Sequence, residues 1–172
     1  MSEAGPAKVD NKEEPPRGRR PDPEGIIFVE GSWDVRQTYH PDPMIIAMFD
    51  GFRRKQILAS RIQGSGRVVF PPRSVCEVSY RDADGMVEVG PCGTIRTFTI
   101  VHSKFGNAPP TPHIIVFVQL DGAGTAAGGY LRGVSTEPEH SLTLIGRRVR
   151  AVFTPEPTGD WTDFWYELEE QE

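Results

Sequence analysis

The chain has little of what metal and redox sites are made of. Its 172 residues hold two cysteines, Cys76 and Cys92, and four histidines. Two thiols exclude a disulfide-stapled scaffold. The first 24 residues lack the apolar core of a secretory leader, so the thiols read as free groups in a reducing cytoplasm. No apolar run approaches the ~20 residues that span a bilayer, and no membrane is expected as a partner. Also missing are a Gly-x-Ser-x-Gly elbow, a phosphate-cradling Gly-Lys-Ser/Thr loop and a His-Glu-x-x-His pair. His40, His102, His113 and His140 form no metal-spaced pair; His102 and His113 read as half-exposed residues at strand ends. Cys92 would need an activating base to act as a nucleophile, and the sequence places none near it. Asp121-Gly122-Ala123-Gly124 and Gly128-Gly129 lie between strands and fit turns better than a pyrophosphate cradle. No catalytic set and no cofactor of its own are expected.

Charge is unevenly spread. The net of −5 divides into −1 for residues 1–24, −7 for residues 156–172 and +3 for residues 25–155. Three positive charges are a weak nucleic-acid footprint but are compatible with a local phosphate-binding patch. The first 24 residues are rich in Pro, Glu, Lys and Arg, and Val9 is their one β-branched residue. They cannot bury enough apolar area to offset ordering entropy, so residues 1–24 are expected to be a disordered tail.

Residues 25–60 predict two short strands and a helix. Ile26 and Phe28, then Trp33 and Val35, supply β-formers around a Gly31-Ser32 turn. Asp42-Pro43 is an N-cap followed by a proline at the first helical position. Ile45, Met48, Phe49 and Phe52 then recur at helical spacing on one face. Arg53-Arg54-Lys55 either complement the C-terminal dipole or meet a phosphate or partner. From Gly90 the pattern turns to strands. Residues 94–102 alternate with period two, and Ile114–Leu120 is almost wholly apolar. Strands at Ala126–Val134, Val149–Thr154 and Asp163–Leu168 follow, with a connector around Glu137–Leu144. Five strands in this order fit a Greek-key OB barrel over residues 90–170. The fold class is therefore mainly β: an OB-fold barrel preceded by an N-terminal helix and a hairpin over residues 61–89.

That hairpin has the outline of a zinc ribbon without its ligands. A ribbon needs two pairs of thiolates for a tetrahedral site, and the four positions here are Ile62, Ser65, Cys76 and Ser79. No metal is expected. Val68, Val69, Phe70 and Val75 could cluster in its place, or a partner could support the unit, since a two-stranded hairpin alone is marginal in water.

Gly66-Arg67-Val68-Val69-Phe70-Pro71-Pro72-Arg73 resembles the turn of a thiolase-associated, acyl-CoA-associated family of small proteins, built from a rubredoxin-like zinc ribbon and an OB-fold. Gly93-Thr94-Ile95 with Phe98–His102, Pro112–Gly122, and Gly146–Phe153 are similar to its successive barrel strands. The resemblance spans residues 42–168 and departs from the family at the metal-binding turns. It implies an accessory subunit that pairs with a thiolase-like enzyme (thiolase, aldolase or condensing enzyme) in a two-plus-two hetero-oligomer. The shared substrate would be a coenzyme A thioester, and the setting lipid or aromatic degradation. The partner would supply the catalytic groups, and this chain would help form the substrate channel.

Candidates for CoA or partner contact are Phe70, Pro71, Pro72, Arg73, Arg96, Lys104, Phe105 and Trp165. The prolines stiffen the turn, Phe70 is a large apolar group on a small unit, and Arg73 can grip a carboxylate or phosphate. The alternative has Phe70 folded inward against Val68 and Val75, with Arg73 solvated. Trp165 is either an interface anchor or packed under the helix. A nucleic-acid-binding OB module is the rival reading. It would need a basic groove with stacking aromatics, and few aromatics are expected on the barrel's outer faces.

Overall fold

The computed structural model describes residues 19–21, 27–29, 38, 40–104, 108–137 and 143–169. Two compact units are present, Met1–Tyr39 and His40–Glu172. In the first, β1 (Arg19–Pro21) pairs antiparallel with β2 (Ile27–Val29) in the register Arg20↔Phe28. This corrects the tail expectation at Arg19–Pro21, which forms a strand. Residues 1–18 and the expected second strand around Trp33 and Val35 lie outside the described residues.

The second unit opens with α1 (Pro43–Arg53), capped as expected by Asp42, whose side chain accepts from the Met44 N–H at 2.8 Å. The predicted apolar face is the packed one: Met48 and Phe52 are fully buried, with Ile45 and Phe49 against the same core. A three-stranded sheet of order β4-β3-β5 follows, from β3 (Leu58–Ile62), β4 (Val68–Val69) and β5 (Ala83–Glu88). The ribbon is thus a small sheet, one strand larger than a hairpin.

The barrel is closed and has five strands: β6 (Cys92–Val101), β7 (His113–Leu120), β8 (Ala126–Leu131), β9 (Arg148–Phe153) and β10 (Phe164–Leu168), ordered β10-β8-β7-β6-β9. β10 runs parallel to β8 and antiparallel to β9, which closes the circle. This is the OB topology the sequence predicts. The strand alternation sets the interior: Ile95, Ile114, Val116, Val118, Leu120, Leu131, Val149 and Tyr166 are all buried. Phe52 reaches from α1 to the barrel end, with ring centroids 5.2 Å from Phe164 and 6.1 Å from Phe153. Trp161, in the 3-10 turn before β10, lies 5.5 Å from Phe49. The tryptophan that meets the helix is therefore Trp161, and Trp165 points out of the barrel.

Gly128 and Gly129 have separate jobs in β8. A Cβ on inward Gly129 would stand 2.6 Å from the Tyr166 ring, so only glycine leaves room for that ring. Outward Gly128 forms a floor beneath Phe117. Both sit inside the strand expected over Ala126–Val134, so of the two readings of this pair the one as turn material between strands is corrected.

Candidate functional site

The two ribbon turns are copies of one another. In the first, Gly66 N–H donates to the Ile62 carbonyl at 3.1 Å and Ile62 N–H to the Arg67 carbonyl at 2.8 Å. In the second, Tyr80 N–H donates to the Cys76 carbonyl at 2.9 Å and Cys76 N–H to the Arg81 carbonyl at 2.9 Å. Gly66 and Tyr80 hold the same place in each turn and share a left-handed backbone, with φ of 65° and 54°. The repeat is visible in the sequence once aligned: Ser65 and Arg67 follow Ile62 as Ser79 and Arg81 follow Cys76. A tyrosine at positive φ gives no such signal, because glycine or asparagine is the usual occupant.

Where a ribbon would hold its metal, this chain packs side chains. Ile62, Val69 and Cys76 are buried together, with Ala83 against them. The expected substitute cluster is corrected in part. Val69 belongs to it, Val75 is 47% exposed, and Phe70 joins the main core instead. The Cys76 sulfur is surrounded by donors. The Ser79 hydroxyl and the backbone N–H groups of Ser79 and Val78 donate toward it, and Arg67 lies 3.8 Å away, bringing the thiol down to about 7. The residues do not fit a zinc ion, since Ile62 offers no donor at the opposing position and a structural site needs four. Among the described residues, no three His, Cys, Asp or Glu side chains converge as a metal site.

The ribbon is tied to its neighbours through polar groups. Phe70 N–H donates to Thr125 Oγ1 at 2.8 Å, and the Thr125 hydroxyl donates back to the Phe70 carbonyl at 2.7 Å. Gly124 N–H reaches the Val68 carbonyl at 2.8 Å. Buried Ser60 accepts from Arg73 N–H at 3.0 Å. The Ser74 hydroxyl donates to Asp42 at 2.6 Å, linking the ribbon to the helix cap and lowering the Asp42 carboxyl below its ordinary range. This leaves an exposed apolar tip: Val75, Val78 and Tyr80, the last 83% exposed.

The candidate residues do not form a single site. Phe70 is 1% exposed and Pro72 is buried, so the expectation that Phe70 faces a partner is corrected. The reason is its position beside the barrel: its ring finds a larger apolar interior there than the ribbon could supply. Pro71 is partly buried. Arg73 is exposed and pairs with Glu77 at 3.2 Å. Arg96 is exposed at a bulge in β6, where its Nε donates to Gln119 at 2.9 Å. Lys104 is exposed beyond the end of β6, and Phe105 lies outside the described residues. Trp165 lies on the outer face of β10. The Arg132 guanidinium sits 4.0 Å over its ring, and its indole N–H donates to Glu167 at 2.7 Å. Arg53 of the basic triplet donates to the Thr158 carbonyl at 2.9 Å and pairs with Asp50, so it is committed within the fold.

Cys92 also has a partner the sequence did not show. Its thiol donates to Glu169 at 2.8 Å, and Glu169 is held by Arg148 at 3.4 Å and Arg150 at 3.3 Å. Burial and the adjacent carboxylate push the thiol up, which opposes a nucleophilic role. Beside the 3-10 turn, the buried Asp163 carboxylate accepts from the N–H groups of Thr158, Gly159 and Asp160 at 2.9, 2.6 and 2.8 Å, fixing the β9–β10 loop. No helix among the described residues is long and apolar enough to cross a membrane.

Residues 86–154 match a family model described as ChsH2, C-terminal OB-fold domain. No curated protein matches the sequence. Among solved structures the chain is similar to the Ltp2-ChsH2(DUF35) aldolase. Identity is 17% and the TM-score 0.57, over 77% of this chain and 97% of that chain. It is also similar to a protein of unknown function from the DUF35 family of Sulfolobus solfataricus, at 18% identity and a TM-score of 0.55 over 74% of this chain and 86% of that chain. The barrel is an OB-fold whose residues 86–154 are similar to the ChsH2 C-terminal domain, and the chain's fold is similar to that of the DUF35-type structures.

Proposed function

We propose that the chain is a non-catalytic accessory subunit of a thiolase-like enzyme complex acting on acyl-CoA. It would support the partner and help form the channel in which the coenzyme A thioester binds. The observation that supports this reading is the structural similarity, over 77% of this chain, to the Ltp2-ChsH2(DUF35) aldolase. The chemistry on the page agrees. The Cys92 thiol beside Glu169 is pushed up, and the Cys76 thiol, though brought down to about 7, is buried in the ribbon. By the same reading the assembly is two-plus-two, the chain is cytoplasmic and it carries no structural metal. Exposed cations at Arg73, Arg96 and Lys104 suit the phosphates of coenzyme A. The test is affinity purification of the tagged chain from its native host, with mass spectrometry and acyl-CoA turnover. A thiolase-like subunit in stoichiometric amount, whose acyl-CoA activity falls when this chain is removed, is the expected result. Recovery of the chain alone, or a partner equally active without it, refutes the reading.

A further inference from the structure

Tyr80 occupies a backbone position that stability alone would give to glycine. It sits in the left-handed region at φ 54°, where its twin in the other ribbon turn is Gly66 at φ 65°. A side chain there strains the backbone, and such strain gathers at places that act on something outside the fold. Nothing within the chain offsets it. The Tyr80 ring is 83% exposed and has no ring contact or side-chain hydrogen bond among the described residues. The same turn displays Val78, 67% exposed, and Val75, 47% exposed, the latter at the bridge to Asp82 that closes its base. Three apolar side chains thus project from one short turn, and the Tyr80 and Cys76 N–H groups, each bonded across it at 2.9 Å, hold that turn in shape. Guanidinium groups border the tip. Arg67 and Arg73 share one carboxylate, Glu77, at 3.7 and 3.2 Å. Arg81 lies over the facing turn, where a Cβ on Gly64 would run into its guanidinium, and it pairs with no carboxylate among the described residues. Even with exposed Asp82 counted, three arginines stand against two carboxylates, a positive border in a chain of net charge −5.

We propose that this tip, with Tyr80 as its anchor, docks into an apolar cleft bordered by carboxylates on the thiolase-like subunit. The inference rests on the accessory-subunit reading and names its contact surface, a place that the inward-turned Phe70 cannot fill. A convex tip ending in tyrosine suits a cleft. The aromatic ring brings a large contact area with two side-chain torsions to order, and the backbone beneath it is fixed before docking. The arginine border meets the carboxylates at the rim. The same charge argues against two other occupants. A symmetric pairing of two tips would bring like-charged borders together. An anionic lipid surface repels a chain of net charge −5, and three apolar side chains bury little area in it.

The test uses the full chain, with the thiolase-like subunit purified from its complex with the wild type as the binding probe. Tyr80→Gly relieves the strained backbone, so it melts no lower than the wild type, yet its affinity for that subunit falls roughly 30-fold, the loss of an interface anchor. A misfolded ribbon cannot give both results. Val78→Ser weakens binding in the same direction. Ile145→Ser, which removes an apolar group 60% exposed elsewhere on the surface, leaves binding unchanged. Arg81→Ala slows association and flattens its salt dependence. A photoreactive benzoylphenylalanine in place of Tyr80 crosslinks to the thiolase-like subunit. The proposal is overturned if Tyr80→Gly binds the subunit as tightly as the wild type, or if it melts well below the wild type, since the ring would then serve the fold. Self-association in analytical ultracentrifugation, or cosedimentation with phosphatidylserine vesicles, that Tyr80→Gly abolishes while subunit affinity is unchanged overturns it in favour of a second copy or a lipid surface. If the wild-type chain recovers no thiolase-like subunit, the accessory-subunit reading fails and the proposal with it. If the wild type and Tyr80→Gly bind that subunit equally, the reading stands and only the tip assignment falls.

Discussion

Replacing Phe70 and Arg73 one at a time separates what the Phe-Pro-Pro-Arg turn does for the fold from what it offers a partner. Phe70 is buried at 1% exposure in the main core, with Met48, Phe52 and the barrel interior in the same cluster. Phe70→Ala removes a full aromatic side chain from a site walled by a helix, a sheet and a barrel, which has little freedom to collapse. The expected loss is about 3–5 kcal/mol, a large share of a total stability of roughly 5–15 kcal/mol. For a domain of this size that lowers the melting temperature by roughly 6–20 °C. Arg73 differs. Its side chain and that of Glu77 are 55% and 43% exposed, so their pair is worth only about 0–1 kcal/mol. Its structural bond to Ser60 uses the backbone N–H, which alanine retains. Arg73→Ala should therefore melt within about 3 °C of wild type. Thermal denaturation followed by far-ultraviolet circular dichroism measures both. A Phe70→Ala variant that melts with the wild type would show that the ring is not part of the core. An Arg73→Ala variant that unfolds would show that the turn depends on its charge. Only Arg73 in this turn is therefore a clean probe of partner or CoA contact.

Gly129→Ala should be severely destabilising, because its Cβ would meet the Tyr166 ring at 2.6 Å, whereas Gly128→Ala, at 3.6 Å from Phe117, should fold normally; equal melting of the two would refute the packing argument. Elemental analysis should find well under one zinc per chain, with no change in melting on adding a chelator; a stoichiometric zinc whose removal unfolds the protein would overturn the reading of Ile62 and Cys76. Burial alone would raise the Asp163 carboxyl, but the N–H groups of Thr158, Asp160 and Gly159 outweigh it and hold it below its ordinary 3.8. Its contribution is thus complete above pH 3.8 and is lost as pH falls through the lower folded value, so Asp163→Asn should cost about 1–3 kcal/mol at neutral pH. That penalty should shrink in strong acid, and one that grows there would contradict the sign.

Periodic stretches were legible in the sequence. Period two along residues 94–102 and the apolar run at 114–120 became β6 and β7, and the Asp42-Pro43 start became a capped α1. What was not legible was direction across long separations. Whether Phe70 turns toward Val75 or toward Thr125, 55 residues away, depends on where the barrel sits, and local spacing carries no information on that. Of the two alternatives for Trp165 the structure keeps the outward one, and the helix contact falls to Trp161 for the same reason. Strand alternation placed Trp165 opposite Phe164 and Tyr166, but the helix is met by the 3-10 turn that precedes the strand. Gly128 and Gly129 fall inside the strand predicted over Ala126–Val134, but the need for glycine at 129 comes from the Tyr166 ring, which belongs to another strand.

Zinc ribbons hold their two turns face to face with a metal, for which Ile62 offers no donor here. A metal does so by four bonds at one point, so the unit folds almost independently of its surroundings. Here the central contact is Ile62, Val69 and Cys76, an apolar cluster too small to order a sheet by itself. The remaining constraint comes from outside the ribbon, at Asp42 of the helix cap and at Gly124 and Thr125 of the barrel. The ribbon is thus held by long-range bonds and not by a local site, which makes it part of the barrel's cooperative unit. The consequence is testable at Thr125. Thr125→Val keeps the shape but removes both hydrogen bonds to the Phe70 backbone, leaving a buried N–H without a partner at a cost of about 1–3 kcal/mol. If the ribbon folded on its own, that change in the barrel would alter the barrel's melting and leave amide exchange at Ile62 and Cys76 untouched. If the ribbon depends on the barrel, exchange at those two amides accelerates by the same free energy as the global loss.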